Sequence, residues 1–427
     1  MTAAPDGPGR PAVGKAPPVP RVVLGVAGGV AAYKACEVIR RLRAGGADVT
    51  VVPTAAALQF VGRATFEALS GHPVATDVFT DVDRVAHVAT GQHADLVVIA
   101  PATADLLARA AAGRADDLLT ATLLVTRAPV LMAPAMHTEM WDHPATRANV
   151  AVLRSRGTIV LDPAVGRLTG ADSGAGRLPE PEHIAALAQL LLDRPDALPY
   201  DLAGRRVLVT AGGTREALDP VRYLSNRSSG KQGFAVALLA AARGADVILI
   251  AANTALATPP GVTVVPVTSA LELADAVEQR APGMDAVVMA AAVADFRPRA
   301  EAGAKIKKTP GTDSMTLELD VNPDILAGLV ASRSGRRPVI AGFAAETGDS
   351  DGSVLDHGRA KLARKGCDLL VVNDVSAGSG FELDDNAGVL LARDGSDPIV
   401  VPLGAKTVLA AAICDQLARL LGSVDAV

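Results

Sequence analysis

RRVLVTAGGTREALDPVRYLSNRSSGKQGFAVALLAAARGADVILI, Arg205 to Ile250, is the stretch on which the reading of the fold turns. RRVLVT reads as a buried strand and ADVILI as a second. Between them Gly230 to Arg243 reads as a helix, with Ser228 and Ser229 as candidate caps. The segment Thr210 to Gly233 is longer than a strand-to-helix turn needs, and loops above about 12 to 15 residues in compact domains are usually functional or disordered. It carries Arg215, Glu216, Asp219, Arg222, Asn226, Arg227 and Lys231 toward a helix N-terminus, where backbone amides and the macrodipole favour phosphate or carboxylate. An anion site is therefore expected there.

The same order of strand, glycine turn, helix, Gly-Ala-Asp and strand is found near the start, in RVVLGVAGGVAAYKACEVIRRLRAGGADVTVVP. Further on, ADLVVIAP, APVLMAP, MDAVVMAAA and CDLLVVND are continuous apolar runs, the pattern of parallel strands buried on both faces. Ala-, Leu- and Arg-rich amphipathic segments separate them. The alternation predicts an α/β protein of two doubly wound, mostly parallel-sheet domains, with ligands at the C-terminal ends of the strands. The proline-bearing segment DRPDALPYDLAG marks the boundary. The division expected is a Pro-rich tail over 1–20, a domain over 21–192, a linker over 193–203 and a domain over 204–427.

Composition excludes some classes of function. Charged residues are 20% with a net charge of −5, which offers no basic surface for nucleic acid or an anionic membrane. Three cysteines, Cys36, Cys367 and Cys414, are far apart and form no CxxC pair, so the expectation is a reducing compartment, cytoplasmic, without a zinc site. The seven histidines show no HxxxH or HxH spacing. No run of 18 apolar residues appears, and the tail, with six prolines in twenty residues, lacks a signal-peptide core.

The loop motif, together with AAAVADFRP (Ala290 to Pro298), KIKK (Lys305 to Lys308), NPDI (Asn322 to Ile325), GFAAET (Gly342 to Thr347) and AKLARKGCDLLVVND (Ala360 to Asp374), resembles the ligase half of the bifunctional phosphopantothenoylcysteine decarboxylase/phosphopantothenate–cysteine ligases of coenzyme A biosynthesis. VAGGVAAYK (Val26 to Lys34), APATADLLA (Ala100 to Ala108) and PAMHTEMW (Pro134 to Trp141) resemble the flavoprotein half. The resemblance runs over about residues 21 to 427. It implies a flavodoxin-like or Rossmann-like flavoprotein domain followed by a Rossmann-like ligase domain. It also implies FMN as cofactor, CTP as co-substrate with Mg2+, and small-molecule substrates: 4′-phosphopantothenate and cysteine. Trimeric flavin domains and dimeric ligase domains would make a homododecamer.

Taken alone, the VAGG turn lacks the GxGxxG spacing and serves tight helix packing as readily as a phosphate. By resemblance Gly28, Gly29, Thr54, Ala100, Thr103 and Asp105 surround FMN, and Ala27 replaces a serine usual in the family. His87, eight residues before Asp95, occupies the place of the active-site histidine, whereas His93 reads as a surface residue. His137 stands where the family has an asparagine that holds the substrate carboxylate. A protonated His137 would bind that carboxylate and could also oppose its loss, by stabilising the ground state. Trp141 and Met136 read as packing elements. In the glycine-rich segment Gly166 to Pro181, which ends in a GxGR pattern like the family's substrate-covering flap, relatives carry a cysteine acid where this chain has Thr169. A threonine hydroxyl is too weak an acid to replace it, which leaves Asp172, His137, water or an oxidised ene-thiol product.

In the ligase half the resemblance gives Asn226 and Lys305 catalytic roles in forming an acyl cytidylate. Ala290, Ala291, Ala292, Asp295, Lys305, Asn322, Pro323, Asp324, Ile325, Phe343, Lys361 and Lys365 are assigned to CTP. KIKK alone reads as a solvated charge run, but its distance from Asp295 follows the family pattern. Cys367 reads as a core thiol. Two other classes stay open: a ligase whose flavin half is regulatory or oxidative, and a nicotinamide-dependent reductase, for which neither half supplies the GxGxxG and acidic ribose ligand.

Overall fold

The computed structural model describes residues 18–74, 91–168, 172–307, 314–346, 353–374 and 384–425. Strands β1 (Arg21–Val26), β2 (Asp48–Pro53), β3 (Leu96–Ala102), β4 (Val130–Pro134) and β5 (Ile159–Val160) form a parallel sheet in the order β2-β1-β3-β4-β5. This is the flavodoxin-like order of a doubly wound domain. Successive residues of β1 feed opposite faces. Val22 and Leu24 pack with Val38, Ile39, Phe66 and Ile184 on one side, and Val23 packs with Leu106, Leu107 and Val150 on the other. Both faces being covered is why the run is apolar throughout instead of alternating.

β6 (Ala164–Arg167) and β7 (Ser173–Arg177) form an antiparallel hairpin from the glycine-rich segment. The second sheet is built from β8 (Arg206–Gly212), β11 (Asp246–Ala252), β12 (Val262–Val267), β13 (Ala286–Met289), β16 (Val339–Glu346), β17 (Leu369–Asp374), β18 (Asp385–Ala392) and β19 (Ile399–Ala405). Its order is β12-β11-β8-β13-β16-β17-β18-β19, and the first six strands are parallel, in the Rossmann order. β18 and β19 are added antiparallel at one edge, and β14 (Phe296–Pro298) pairs with β15 (Leu319–Val321) in a separate antiparallel hairpin.

The long loop is structured. It holds a hairpin of β9 (Arg215–Ala217) with β10 (Tyr223–Ser225), and the Arg215 guanidinium lies 4.6 Å from the centre of the Tyr223 ring. The helix spans Lys231–Ala242, and neither serine caps it as expected: the N-cap is Gly230, at φ +77°. Ser228 Oγ instead accepts from the Gly230 N–H at 3.3 Å, because the left-handed turn carries the hydroxyl away from the first-turn amides. A side chain at Gly230 would strain that turn.

The linker is packed, with Ala197, Leu198 and Leu202 buried. Arg243, fully buried, donates to both carboxylate oxygens of Asp201 at 2.8 and 2.6 Å and to Asp415 at 2.7 Å. On the flavodoxin-like side the Arg154 guanidinium donates to the Tyr200 hydroxyl at 2.9 Å. The helix Lys406–Asp425 is long and apolar enough to cross a membrane, but its Leu409, Ile413, Leu417 and Leu421 are buried in the core with β8 and β11 residues.

Candidate functional sites

A cavity opens at the C-terminal end of each of the two large sheets. In the first domain β1 runs into Gly28, where an added Cβ would stand 2.3 Å from the Ala56 Cβ, so only glycine lets this turn lie against the segment after β2. Thr54 is buried, and its Oγ1 accepts from the Ala57 N–H at 3.2 Å. Thr103 caps the helix Ala104–Ala111, accepting from Leu106 N–H at 3.3 Å. Both contacts use hydroxyl lone pairs, and a hydroxyl hydrogen remains able to donate to an anion.

These residues and Gly29, Asp105 and His137 line a cavity of about 1210 Å³. Its wall also carries Lys34, Arg109, Arg167 and Arg177, a cationic set suited to phosphate and carboxylate. Lys34 and Arg177 share Glu180, each at 3.0 Å. Burial opposes the Arg109 charge, yet hydrogen bonds to Asp117 at 2.7 Å and Asp116 at 3.2 Å hold it firmly protonated. Asp105 is bound to the same arginine at 3.0 Å. His137 is exposed at the start of the helix Thr138–Asp142, beside Met136 and Met140.

Two expectations need correction. Ala100 does not line this cavity: it is fully buried inside β3, and the turn that reaches the site begins at Thr103. Asp172 is exposed at the hairpin tip and does not line the cavity. Met136 packs against the core that holds Trp141 and also lines the cavity, and Trp141 is buried beneath Arg147. His87 and Thr169 lie outside the described residues. Lys34 and Arg177 were quoted in VAGGVAAYK and GxGR without a role, although a cation ending each motif was a legible signal.

The second cavity, about 840 Å³, opens at the C-terminal ends of β8, β13, β16 and β17. Thr210 and Thr214 hydroxyls accept from the Ala291 and Ala294 N–H groups at 3.1 and 3.0 Å and so fix the Ala290–Ala294 turn. Asn226 Nδ2 donates to Val293 O at 2.8 Å, tying the long loop to that turn. Asn322, nearly buried, donates to Ala294 O at 2.8 Å and accepts from Arg297 at 3.1 Å. Asp324 caps the helix Ile325–Ser332 through the Ala327 N–H and pairs with Lys365. Burial works against its charge, but Lys365 and the Ala327 amide hold its carboxyl below the usual range. Asn226, Ala290 to Ala292, Asp295, Asn322 to Ile325, Phe343, Lys361 and Lys365 all line this cavity.

Lys305 does not, which corrects its expected position. It is exposed on a segment anchored elsewhere: Asp219 Oδ2 accepts from the Ile306 N–H at 3.0 Å, and Arg222 donates to Ile306 O at 2.9 Å. Sequence reading missed Gln232, Asn373, Asn386 and Lys406 on the cavity wall. Asn373 stood in the quoted VVND run, and its buried Oδ1 has no partner among the described residues. Asn386 and Lys406 fell in no quoted motif. Among the described residues no three His, Cys, Asp or Glu side chains cluster to hold a metal.

Two doubly wound domains, each with a cavity at the C-terminal ends of its strands, define a two-site α/β protein. A family model described as Flavoprotein matches residues 14–192, and one described as DNA/pantothenate metabolism flavoprotein C-terminal domain matches residues 202–421. The coenzyme A biosynthesis bifunctional protein CoaBC of Mycobacterium tuberculosis is 65% identical over 407 residues, 94% of this chain and 97% of the relative. That of Mycolicibacterium smegmatis is 64% identical over 410 residues, 95% and 99% of the two chains. A solved C-terminal domain of a bifunctional CoaBC protein is 35% identical, covers 52% of this chain and 99% of its own, and has a TM-score of 0.44.

The chain belongs to the family of bifunctional coenzyme A biosynthesis proteins. It is an enzyme with two activities, phosphopantothenoylcysteine decarboxylase and phosphopantothenate–cysteine ligase. Nothing in these likenesses favours a regulatory flavin half or a reductase.

Proposed function

We propose that the second cavity joins cysteine to 4′-phosphopantothenate at the expense of CTP, and that the first holds FMN and removes the cysteinyl carboxylate. The observation that supports the ligase assignment best is the convergence of Asn226, the Ala290–Ala292 turn, Asn322–Ile325 and Lys365 on one cavity from distant parts of the sequence. In this reading a 4′-phosphopantothenate carboxylate oxygen attacks the α-phosphorus of CTP and pyrophosphate leaves. The cysteine amine then attacks the acyl carbon of the cytidylate and CMP leaves.

The carboxylate is otherwise a poor electrophile, so the cytidylate must be shielded and oriented. Asn226 and the Ala290–Ala292 amides do this, with Phe343 beside the nucleotide. Lys305 adds positive charge as negative charge develops, once its segment closes on the cavity. A Mg2+ ion would enter with the triphosphate and offset its charge, as suits a hard cation that prefers oxygen ligands.

The first cavity suits FMN in size and donor set. The Gly28–Gly29 turn and the Thr54 and Thr103 hydroxyls would hold its phosphate and ribityl chain, with Lys34 and Arg177 supplying charge. When bound, FMN would supply a reversible two-electron sink, taking the electrons of the cysteinyl thiol carbon so that carbon dioxide leaves easily and returning them as hydride to the ene-thiol that remains. His137 orients the substrate carboxylate at the cavity wall and His87 assists at the substrate. The final proton comes from His137, Asp172 or water, since Thr169 is too weak an acid.

We place the enzyme in the cytoplasm, where three unpaired cysteines stay reduced. We also propose a homododecamer of trimeric flavin domains and dimeric ligase domains, which a monodisperse monomer by light scattering contradicts. The purified protein should carry the yellow spectrum of a bound flavin and release pyrophosphate only when CTP and 4′-phosphopantothenate are both present. A colourless protein that folds and ligates would refute the flavin assignment. Pyrophosphate release with ATP but not CTP would refute the nucleotide.

A further inference from the structure

The turn from Ala290 to Asp295 lines the ligase cavity, and its backbone is tied from two sides. From β8 and the long loop, the Thr210 and Thr214 hydroxyls hold the Ala291 and Ala294 N–H groups, and Asn226 holds Val293 O. The next two carbonyls along the turn are both held by Asn322. Its Nδ2 donates to Ala294 O at 2.8 Å, and its backbone N–H donates to Asp295 O at 2.8 Å. One residue therefore fixes the downstream end of the turn, where the Asp295 side chain enters the cavity.

Asn322 is in turn fixed by Arg297. It is 7% exposed, and its Oδ1 accepts from Arg297 Nη1 at 3.1 Å. Ala294 O requires a donor and the guanidinium requires an acceptor, so the carboxamide has a single orientation. Both its ends are engaged by the protein. The same Nη1 donates at 2.8 Å to Val321 O, the carbonyl just before Asn322. Arg297 reaches these oxygens from β14, which pairs with β15 and so brings position 297 beside the end of that strand. It is half-buried and does not line the cavity. Among the described residues it bonds no carboxylate, and its charge is spent on two neutral oxygens, an arrangement that makes each bond stronger than a neutral one.

We propose that Arg297 is a positioning residue of the ligase: through Asn322 it holds the Ala294–Asp295 end of the turn, and so aims the Ala290–Ala292 amides and the Asp295 carboxylate at the nucleotide. The inference rests on the CTP-dependent ligase reading. Without the guanidinium, Asn322 Oδ1 loses its donor and the carboxamide is free to turn, which sets an oxygen in place of Nδ2 against Ala294 O. The turn then keeps its ties to Thr210, Thr214 and Asn226 but loses the one that sets the direction of Asp295.

The test measures pyrophosphate release, with CTP and cysteine each varied, for the full-length wild type, Arg297→Gln, Arg297→Lys, Asn322→Ala and the double variant Arg297→Gln/Asn322→Ala. Arg297→Gln should lower kcat/KM for CTP by about 10- to 100-fold, the worth of a hydrogen bond to a charged group, while the KM for cysteine stays unchanged. Arg297→Lys should recover part of the loss, because an ammonium can still donate to Asn322 Oδ1 but lacks the planar fork. Asn322→Ala should lose at least as much as Arg297→Gln, and the double variant less than about twofold more than Asn322→Ala, because the two side chains act as one brace. Carbon dioxide release from supplied 4′-phosphopantothenoylcysteine and the melting temperature check that each variant is folded.

A folded Arg297→Gln with unchanged kcat/KM for CTP would overturn the proposal. So would losses that multiply in the double variant, which would mean that Arg297 does not act through Asn322. Equal rises in the KM for CTP and for cysteine would mark a general loosening and would overturn it as well. If Asn322→Ala does not fold, the two Arg297 variants decide alone. A wild type that neither binds CTP nor releases pyrophosphate would instead refute the ligase reading beneath the proposal.

Discussion

Gly233→Ala puts the packing of the loop helix on β8 under direct test. A Cβ at this position would stand 2.6 Å from the Ala211 Cβ and 2.8 Å from Thr210 O. Carbon atoms rest at about 3.5–4.0 Å, so the helix must retreat by about 1 Å. Two effects compete. Alanine is favoured over glycine inside a helix by about 0.8–1.0 kcal/mol, whereas overpacking a core costs about 1–3 kcal/mol. The obstacle is the backbone and Cβ of a buried central strand, which cannot swing aside, so the upper part of that range applies. A net loss of about 1–2 kcal/mol follows, seen as a lower melting temperature. The same retreat moves Ser229, Gly230 and Lys231 away from the cavity they line, and a displacement of about 1 Å in a positioned site can cost about a hundredfold in rate. Pyrophosphate release should therefore fall steeply while decarboxylation of supplied 4′-phosphopantothenoylcysteine stays normal. A variant with an unchanged or raised melting temperature and full ligation would refute the packing argument.

Lys305→Gln should slow pyrophosphate release by about a hundredfold through loss of one charge donor, and unchanged turnover would remove Lys305 from the mechanism. Asp219 accepts from the Val221, Arg222 and Ile306 N–H groups and from the Arg222 guanidinium, and these bonds, Arg222 foremost, hold its carboxyl far below the usual range. A depressed folded pKa contributes stability above the unfolded value of about 3.9 and loses it as pH falls toward the folded one. Asp219→Asn should thus melt earlier than wild type at pH 7, by a margin that shrinks in acid, and a margin independent of pH would contradict this. Burial pushes the Cys367 thiol up to about 11 and the Cys414 thiol up to about 12. In native protein at pH 8 an alkylating reagent should therefore reach the half-buried Cys36 well before either, as peptide mass spectrometry would show. For the final proton, whichever of His137→Ala and Asp172→Asn removes the acid should accumulate a product two hydrogens lighter than 4′-phosphopantetheine. Equal yields of reduced product from both variants and wild type would exclude both side chains.

The sheets were readable because their strands are buried on both faces, which leaves unbroken runs such as LVVIA and AVVM with glycine turns at the ends. The cavity residues were readable where a motif sits at the end of a parallel strand, as with Thr103 after β3 and Ala290–Ala292 after β13. Ala100 was misjudged because adjacency in a motif does not fix depth: it precedes the turn by one side-chain pair and points into the core. Lys305 was misjudged because its position depends on tertiary bonds from Asp219 and Arg222, more than eighty residues earlier. Lys406 and Asn386 escaped notice because the antiparallel strands β18 and β19 return the chain to the cavity along a path that no local periodicity records. The Gly230 cap shows the same limit at short range, since one positive φ redirected both serines.

The central claim is that one chain carries out both steps in sequence. Incubating the purified protein with CTP, cysteine and 4′-phosphopantothenate, while counting pyrophosphate and carbon dioxide released, tests it most directly. The account predicts equal amounts of the two gains and a product that has lost the cysteinyl carboxylate. Stoichiometric pyrophosphate with no carbon dioxide, from a protein that carries its flavin, would contradict it.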